Sequence, residues 1–386
     1  MTKRAEPLMQ TPRFVIDEAK LESNAQILDS VRRRTGVKIL LAQKAYSLAA
    51  TYPLLARHLD GTTASSLFEA KHGHDFFGGE THVYAAAYAP GEIDEILSLV
   101  DHIVFNSPRQ FSLYVAKARA RGVSAGLRVN PETPVATTPA YDPCRPGSRL
   151  GTVRAQLEGA CPAGLEGLHF HCLCEQGLDE LKTVLAGFEE KFSDLLPAVK
   201  WVNFGGGHHI TRPGYDIDGL VGLLSGFRAR HPHLGMYLEP GEAVALDAGT
   251  LETTVLEVQP PSPDGVSNAI IDASPACHMP DTLEMPYVPP LKGARKGDGG
   301  PFAYRIGGAT CLAGDVIGPY SFDSPLNAGD VLEFGDMAIY TIVKTNHFNG
   351  MRLPSVCIRR MDGTLETIQE YGYEDFARAN AASRGA

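Results

Sequence analysis

The sequence predicts an α/β fold, a closed (β/α)8 TIM-like barrel followed by a second, mainly antiparallel β domain. Three observations carry this reading. Short apolar runs alternate with amphipathic helical segments eight times over about two hundred residues, the pattern of a parallel sheet closed on itself. The residue types that carry chemistry fall just past the carboxyl ends of those runs, which is the working face of such a barrel. After Asp247 the texture changes, and helical periods nearly vanish. The alternative architecture is a doubly wound open sheet. The expected boundaries are 22–246 for the barrel, and 247–386 together with 1–21 for the β domain.

In chain order, a strand at 14–16, expected to join the second domain, leads into a helix at 17–33 with Leu21, Ala25, Leu28 and Val31 at helical spacing. The barrel strands are expected at 37–42, 62–64, 82–87, 102–105, 125–129, 165–171, 201–204 and 236–238. Helices are expected at 48–59, 93–100, 108–121, 178–192 and 217–231. One connection is irregular. Between Val129 and Leu165 stand Pro131, Pro134, Pro139, Pro143 and Pro146, then Gly147-Ser148-Arg149-Leu150-Gly151. Proline fixes φ and removes a donor, so this segment reads as an ordered loop at the barrel mouth. The second domain is expected to hold strands at 250–258, 267–271, 302–306, 331–334, 339–343 and 355–360, with the 296–300 glycine-rich stretch as an ordinary turn.

Composition bounds the function. With 386 residues, 44% of them hydrophobic, the chain can bury two cores, and its net charge of -10 argues against nucleic acid and acidic membrane surfaces as partners. A small cationic substrate suits that charge. The first seven residues hold no apolar leader and no run is long enough to span a bilayer, so the expected location is cytoplasmic. Seven scattered cysteines argue against a disulfide framework. Cys172-Leu173-Cys174 lacks a second pair at zinc spacing, so buried thiols are expected and no metal site.

The chemistry-bearing residues converge. Lys44 follows the first barrel strand, Arg128 closes the fifth, His171 ends the sixth, Gly205-Gly206-Gly207 follows the seventh and Glu239 the eighth. Alone, Lys44 reads as a loop lysine; in a desolvated mouth its pKa falls and the free amine serves carbonyl chemistry. The bare backbone of the three glycines lets N–H groups approach a phosphate, although a plain tight turn has the same composition. The run ending in Glu239 is apolar, and a buried carboxylate needs a proton or a cation, such as a pyridinium nitrogen. His171, more often a core histidine when met alone, offers a flat ring that can stack on a cofactor ring.

Leu41-Ala-Gln-Lys44-Ala-Tyr46, His169-Phe-His171-Cys-Leu-Cys-Glu175, Asn203-Phe-Gly-Gly-Gly-His208, Glu239-Pro-Gly-Glu242, His278-Met-Pro-Asp281, Gly308-Ala-Thr-Cys311-Leu-Ala-Gly-Asp315 and Met337-Ala-Ile-Tyr340-Thr341 follow one another along nearly the whole chain. In these motifs the chain resembles the fold-type III pyridoxal-phosphate decarboxylases, the family of ornithine, diaminopimelate and carboxynorspermidine decarboxylases. The resemblance implies pyridoxal 5'-phosphate as cofactor, with Lys44 as the covalent attachment point, His171 stacked on its ring, Glu239 paired with the ring nitrogen, and Arg128, Gly205, Gly206, Gly207 and Tyr340 among its contacts. It further implies that Cys311 handles the proton after loss of carbon dioxide, reaching the site from the second subunit of a homodimer. Two positions depart from the ornithine and diaminopimelate pattern: Glu242 stands where those enzymes carry arginine, and Leu312 where they carry an acid. The resemblance therefore implies a small cationic carboxypolyamine substrate, carboxynorspermidine and carboxyspermidine, contacted by Glu239, Asp272 and Cys311, with Asp272 reading the distal ammonium. The alternatives are another basic amino-acid decarboxylase (diaminopimelate, ornithine or arginine), a racemase, or a non-catalytic barrel binding pyridoxal phosphate or phosphate alone.

Overall fold

The computed structural model describes residues 10–159 and 161–381; the N-terminal stretch of 1–7 lies outside them. The chain forms two compact units, Glu22–Val244 and a discontinuous one made of residues up to Leu21 and from Ala245 onward. It enters on β1 (Arg13–Asp17), followed by α1 (Glu18–Thr35), whose acidic first turn and three terminal arginines, Arg32, Arg33 and Arg34, suit the helix dipole.

The larger unit is a closed parallel barrel. Its strands are β2 (Lys38–Ala42), β3 (Gly61–Ala64), β4 (Glu80–Tyr84), β5 (His102–Phe105) and β6 (Ser124–Asn130), then, after a two-residue edge strand β7 (Thr152–Val153) on β6, β8 (Gly167–His169), β9 (Trp201–Asn203) and β10 (Gly235–Leu238). Neighbours pair in parallel around the ring; β5 pairs β6 and β10 pairs β2, so eight strands close with no open edge. Ile39, Leu40 and Leu41 are wholly buried, as a strand packed on both faces requires. The barrel interior is filled partly by the single tryptophan: a Cβ on Gly167 would come within 2.0 Å of the Trp201 ring, and one on Gly126 within 2.3 Å, so the adjacent strand β8 and the next one, β6, must carry glycine there.

Helices α5 (Pro108–Ala120), α6 (Leu178–Phe192) and α7 (Ile217–Arg230) lie where expected, capped at their starts by Ser107 and Asp216 in the first and last cases. The expected helix at 48–59 shrinks to a 3-10 turn, Ala49–Thr51, and α2 (Tyr52–Leu55); Leu48 sits extended ahead of it and Pro53 lies in its first turn. The segment at 93–100 holds only one turn, α4 (Ile93–Ile96). An unexpected helix, α3 (Leu67–Phe76), starts on Ser66, which accepts from the Glu69 N–H at 3.2 Å; its apolar period is broken by His72, His74 and Asp75 and by exposed Phe68 and Phe76. Among the described residues no helix is long and apolar enough to cross a membrane.

After α8 (Glu242–Ala245), the second unit is a sheet built from β11 (Gly249–Val258), β12 (Ser267–Ile271), β13 (Arg295–Lys296), β14 (Phe302–Gly307), β15 (Val316–Phe322), β16 (Val331–Gly335), β17 (Ser355–Arg359) and β18 (Leu365–Gln369). Its order is β13-β15-β14-β12-β11-β1-β17-β18, with β16 also on β11, and only β12–β14 and β1–β17 run parallel. The strand at 14–16 thus joins this sheet, between β11 and β17. The expected strand at 339–343 is absent: Tyr340 adopts φ 49°, Thr341 Oγ1 donates back to the Met337 carbonyl, and a 3-10 turn, Ile342–Lys344, follows. β15 escaped the sequence reading because Gly318-Pro319 interrupts its apolar run.

Candidate active site

At the carboxyl ends of the barrel strands lies a cavity of about 250 Å³, lined by Lys44, Tyr84, Arg128, His169, His171 and Glu239 together with Ala42, Thr63, Ala64, Ser65 and the Arg149-Leu150 end of the proline-rich loop. β2 delivers Lys44 by ending at Ala42, where Ala45 N–H donates to the Ala42 carbonyl and turns the chain. The Lys44 side chain protrudes into the cavity and is exposed to that space, while its position inside the barrel mouth buries the ammonium away from bulk water. That burial, with Arg128 as a second cause, pushes its ammonium below the usual lysine range, against the pull of Glu239 and Glu242. The result is an amine ready to act as a nucleophile.

Arg128, buried on β6, donates from a terminal guanidinium nitrogen to the His171 carbonyl at 2.8 Å and lies over the Tyr84 ring at 4.6 Å. Its guanidinium therefore fixes the segment after β8 from one side. From the other side the Gly206 N–H donates to His171 Nδ1 at 2.9 Å, which leaves the hydrogen of the neutral ring on Nε2. Burial pushes the His171 pKa well down, with Lys44 and Arg128 adding to it, so the ring is neutral.

The glycine turn is tighter than an exposed loop. Gly205 (φ 69°) and Gly207 (φ 86°) occupy left-handed conformations, and a Cβ on Gly206 would stand 2.0 Å from the Glu239 carbonyl oxygen. Of its N–H groups, Gly205 donates to Asn203 Oδ1 at 2.8 Å and Gly206 to His171, so these two serve the fold. Those of Gly207 and His208 find no acceptor among the described residues. The anion-binding part of the expected nest is thus displaced one residue toward its end.

Glu239 accepts from Asn203 Nδ2 at 2.7 Å, and its second oxygen lies 3.4 Å from His169 Nε2. Burial pushes its carboxyl up, but His169 and Asn203 outweigh this and hold it at about 2. Burial, in turn, pushes His169 down. The direction that stands is an ionised Glu239 against a neutral imidazole, a buried anion with no other cation in ion-pair contact among the described residues. Amine, carboxylate, flat neutral ring and free N–H pair together suit a flat, carbonyl-bearing group with a basic ring nitrogen and an anionic arm. Tyr84 was not singled out by the sequence reading, and His169 and Asn203 stood in its motifs without a role. His169 was within reach of it, because it stands two residues before His171 and so shares its strand face.

The remaining expected site residues lie in the second unit. Cys311 is exposed, its N–H donating to Asn349 Oδ1 at 3.0 Å, and Leu312 beside it is 45% exposed. Their loop is anchored by buried Asp315, which accepts from Ser274 Oγ at 2.8 Å, Ala276 N–H at 2.8 Å and Thr310 Oγ1 at 2.6 Å. Tyr340 has the Lys344 ammonium 5.7 Å from its ring centre. Asp272, expected to read the distal ammonium of the substrate, has its carboxylate bonded within its own sheet. It accepts from Thr11 Oγ1 at 2.6 Å, Thr253 Oγ1 at 2.5 Å and Thr254 N–H at 2.9 Å, so both its oxygens hold the sheet together. Cys172 is buried as expected, whereas Cys174 is partly open.

Outside the cavity, Glu80, His82 and His102 place ligand-type atoms within 4.8 Å of one another. The two imidazoles stack 4.0 Å apart with planes at 13°, and Lys38 already pairs with Glu80. Imidazole binds a metal in its own plane, so two nearly parallel rings at that spacing do not point at one ion. The cluster fills the amino-terminal end of the barrel.

The chain matches the family described as "Pyridoxal-dependent decarboxylase, C-terminal sheet domain" over residues 14–338. It is 42% identical over 95% of its length to a carboxyaminopropylagmatine decarboxylase of Synechocystis, 95% of which is covered. It is 40% identical, over 96% of its own length and 99% of that relative, to a carboxynorspermidine/carboxyspermidine decarboxylase of Campylobacter jejuni. The crystal structure of a Campylobacter jejuni carboxynorspermidine decarboxylase complexed with norspermidine superposes with a TM-score of 0.88 at 39% identity, covering 96% of this chain and all of that one. A barrel with an amine and an ionised carboxylate at its mouth, a separate sheet, and these matches at nearly full length leave one conclusion: the chain belongs to the pyridoxal-dependent decarboxylases, and it is a carboxy-lyase.

Proposed function

We propose that this chain decarboxylates carboxynorspermidine and carboxyspermidine in polyamine biosynthesis, with pyridoxal phosphate as cofactor. The observation that carries the reading is the match to the norspermidine-complexed Campylobacter jejuni enzyme across both units at 39% identity. The residues of the cavity support the cofactor reading. Ionised Glu239 lacks a cation and would take the protonated ring nitrogen; Lys44 would hold the aldehyde carbon; the neutral His171 ring would stack on the pyridine; the free N–H groups of Gly207 and His208 would hold the phosphate. Arg128 supports this set by holding His171 in place, and Tyr340 is a further phosphate contact by resemblance.

When bound, pyridoxal phosphate supplies the electron sink that receives the pair released as carbon dioxide leaves. The chain's own residues do the rest. Lys44 presents an amine whose pKa burial and Arg128 lower, which favours its unprotonated form. Glu239 stays ionised and so would favour a protonated ring nitrogen on the bound cofactor. Asn203 holds Glu239 from behind through its 2.7 Å bond. Cys311 delivers a proton to the carbon that lost its carboxylate, and Leu312 packs on the methylenes of the substrate tail. We further infer a homodimer in which Cys311 comes from the partner.

A second reading is favoured by one observation, the 42% identity to the Synechocystis carboxyaminopropylagmatine decarboxylase. That substrate ends in a guanidinium rather than an ammonium. Carbon dioxide release measured with carboxynorspermidine, carboxyspermidine, carboxyaminopropylagmatine, diaminopimelate and ornithine tests both. Turnover of the first two above the rest is the expected result; preference for the guanidinium substrate supports the second reading, and preference for diaminopimelate or ornithine overturns both.

A further inference from the structure

The two free N–H groups of the glycine turn are followed directly by His209, and His209 is tied to a carboxylate. Its Nε2 lies 2.8 Å from Glu242 Oε2, and both side chains are largely buried. Two residues on, Thr211 Oγ1 donates to the Ala243 carbonyl at 2.6 Å, so the segment after the glycines is stitched to the first turn of α8 at two points. That turn is pressed onto the Lys44 segment: a Cβ on Gly241 would stand 2.7 Å from the Ala45 Cβ. The Glu242 charge is accordingly felt at the Lys44 ammonium, which it favours.

This arrangement poses an electrostatic problem. An anion settling on the Gly207 and His208 N–H groups would lie one residue from His209, whose imidazole contacts the Glu242 carboxylate, and like charges repel strongly where water is scarce. The only group in ion-pair contact with Glu242 among the described residues is His209, whose other ring nitrogen, Nδ1, is buried with no hydrogen-bond partner. An orphaned buried nitrogen next to free N–H groups points to something that completes it.

Resting on the cofactor reading above, we propose that His209 is a positioning residue for the cofactor phosphate, cancelling the Glu242 charge through Nε2–H and donating Nδ1–H to the anion on Gly207 and His208. The His209–Glu242 pair then carries no net charge. Removing both partners removes an attraction and a repulsion together, whereas removing His209 alone leaves the carboxylate facing the phosphate.

The test is a spectroscopic titration of the apoprotein with pyridoxal phosphate and, separately, with pyridoxal, which lacks the phosphate. His209→Ala should weaken pyridoxal phosphate binding roughly tenfold or more. Glu242→Gln should stay within about threefold of the parent, and His209→Ala/Glu242→Gln should regain most of the loss. Pyridoxal affinity should be the same in the parent and the His209→Ala protein, and any change that Glu242→Gln makes through Lys44 should appear equally for both compounds. If His209→Ala folds poorly, His209→Gln, which keeps a donor to Glu242 without its charge, should show the same selective loss. Parental affinity in the His209 variants, additive losses in the double variant, or an equal loss for pyridoxal would overturn the proposal. A parent that binds neither compound would instead sink the cofactor reading itself.

Discussion

The His171 ring is held by a backbone group: the Gly206 N–H donates to its Nδ1 at 2.9 Å, so the orientation of the ring and the shape of the glycine turn are set by one bond. His171→Phe keeps a flat ring and removes the acceptor, leaving a buried N–H unpaired at a cost of about 1–3 kcal/mol. Pyridoxal phosphate binding should weaken by roughly tenfold, measured by absorbance titration. A variant that binds as tightly as the parent would show that the bond does not shape the site.

Lys44→Ala should abolish the adduct trapped by borohydride in the presence of pyridoxal phosphate. In the parent, burial lowers the Lys44 pKa from the ordinary 10.5, so the rate of capture should rise with pH and level off below that value. Stopped-flow absorbance across pH gives the midpoint; a midpoint at or above the ordinary value, or an adduct surviving on another lysine, would contradict the assignment.

Glu239 has its carboxyl held at about 2 against an ordinary 4.5, so its ionised form is favoured in the folded protein. The stability this confers is present in full above the unfolded value and is lost as pH falls from there toward the folded one. Denaturation midpoints of the parent and Glu239→Gln should therefore differ by a constant amount above about pH 5 and converge on acidification. The same variant should lose roughly a hundredfold in kcat through weaker pairing with the ring nitrogen.

Asp315 holds the Cys311 loop to the turn at Ser274 and Ala276 with buried bonds. Asp315→Ala strands three donors and should cost about 2–4 kcal/mol of stability by denaturant unfolding, with faster alkylation of Cys311 by iodoacetamide. Unchanged stability would mean that the loop is held by other contacts.

Mixing Lys44→Ala and Cys311→Ala proteins tests the shared site. If each site takes Cys311 from the partner, hybrid dimers hold one intact site, and carbon dioxide release should recover to about a quarter of the parental rate under free exchange. No recovery, with exchange shown by mass spectrometry of the hybrids, would place each site within one subunit.

Much of the barrel and its mouth was legible because both rest on local signals. Doubly buried strands are continuous apolar runs, and the residues just past them point at the cavity whatever the rest of the chain does. What was missed depends on partners far away in sequence. The bonds of Asp272 to its sheet are invisible in the sequence, because Thr11, 261 residues distant, supplies one of them. Tyr84 and Asn203 sit within apolar runs and look like core until the barrel closes around them. The glycine turn showed its composition but not its accounting, since which N–H groups stay free depends on Asn203 and His171.

The position of β1 has a consequence for the order in which the protein is made. Arg13–Asp17 forms ladders with Gly249–Val258 and Ser355–Arg359, so it leaves the ribosome long before either partner exists. The barrel can close while β1 waits unpaired, an apolar strand with both edges open. The second sheet can be completed only after β17 emerges, which makes the last strands synthesised the ones that shelter one of the first.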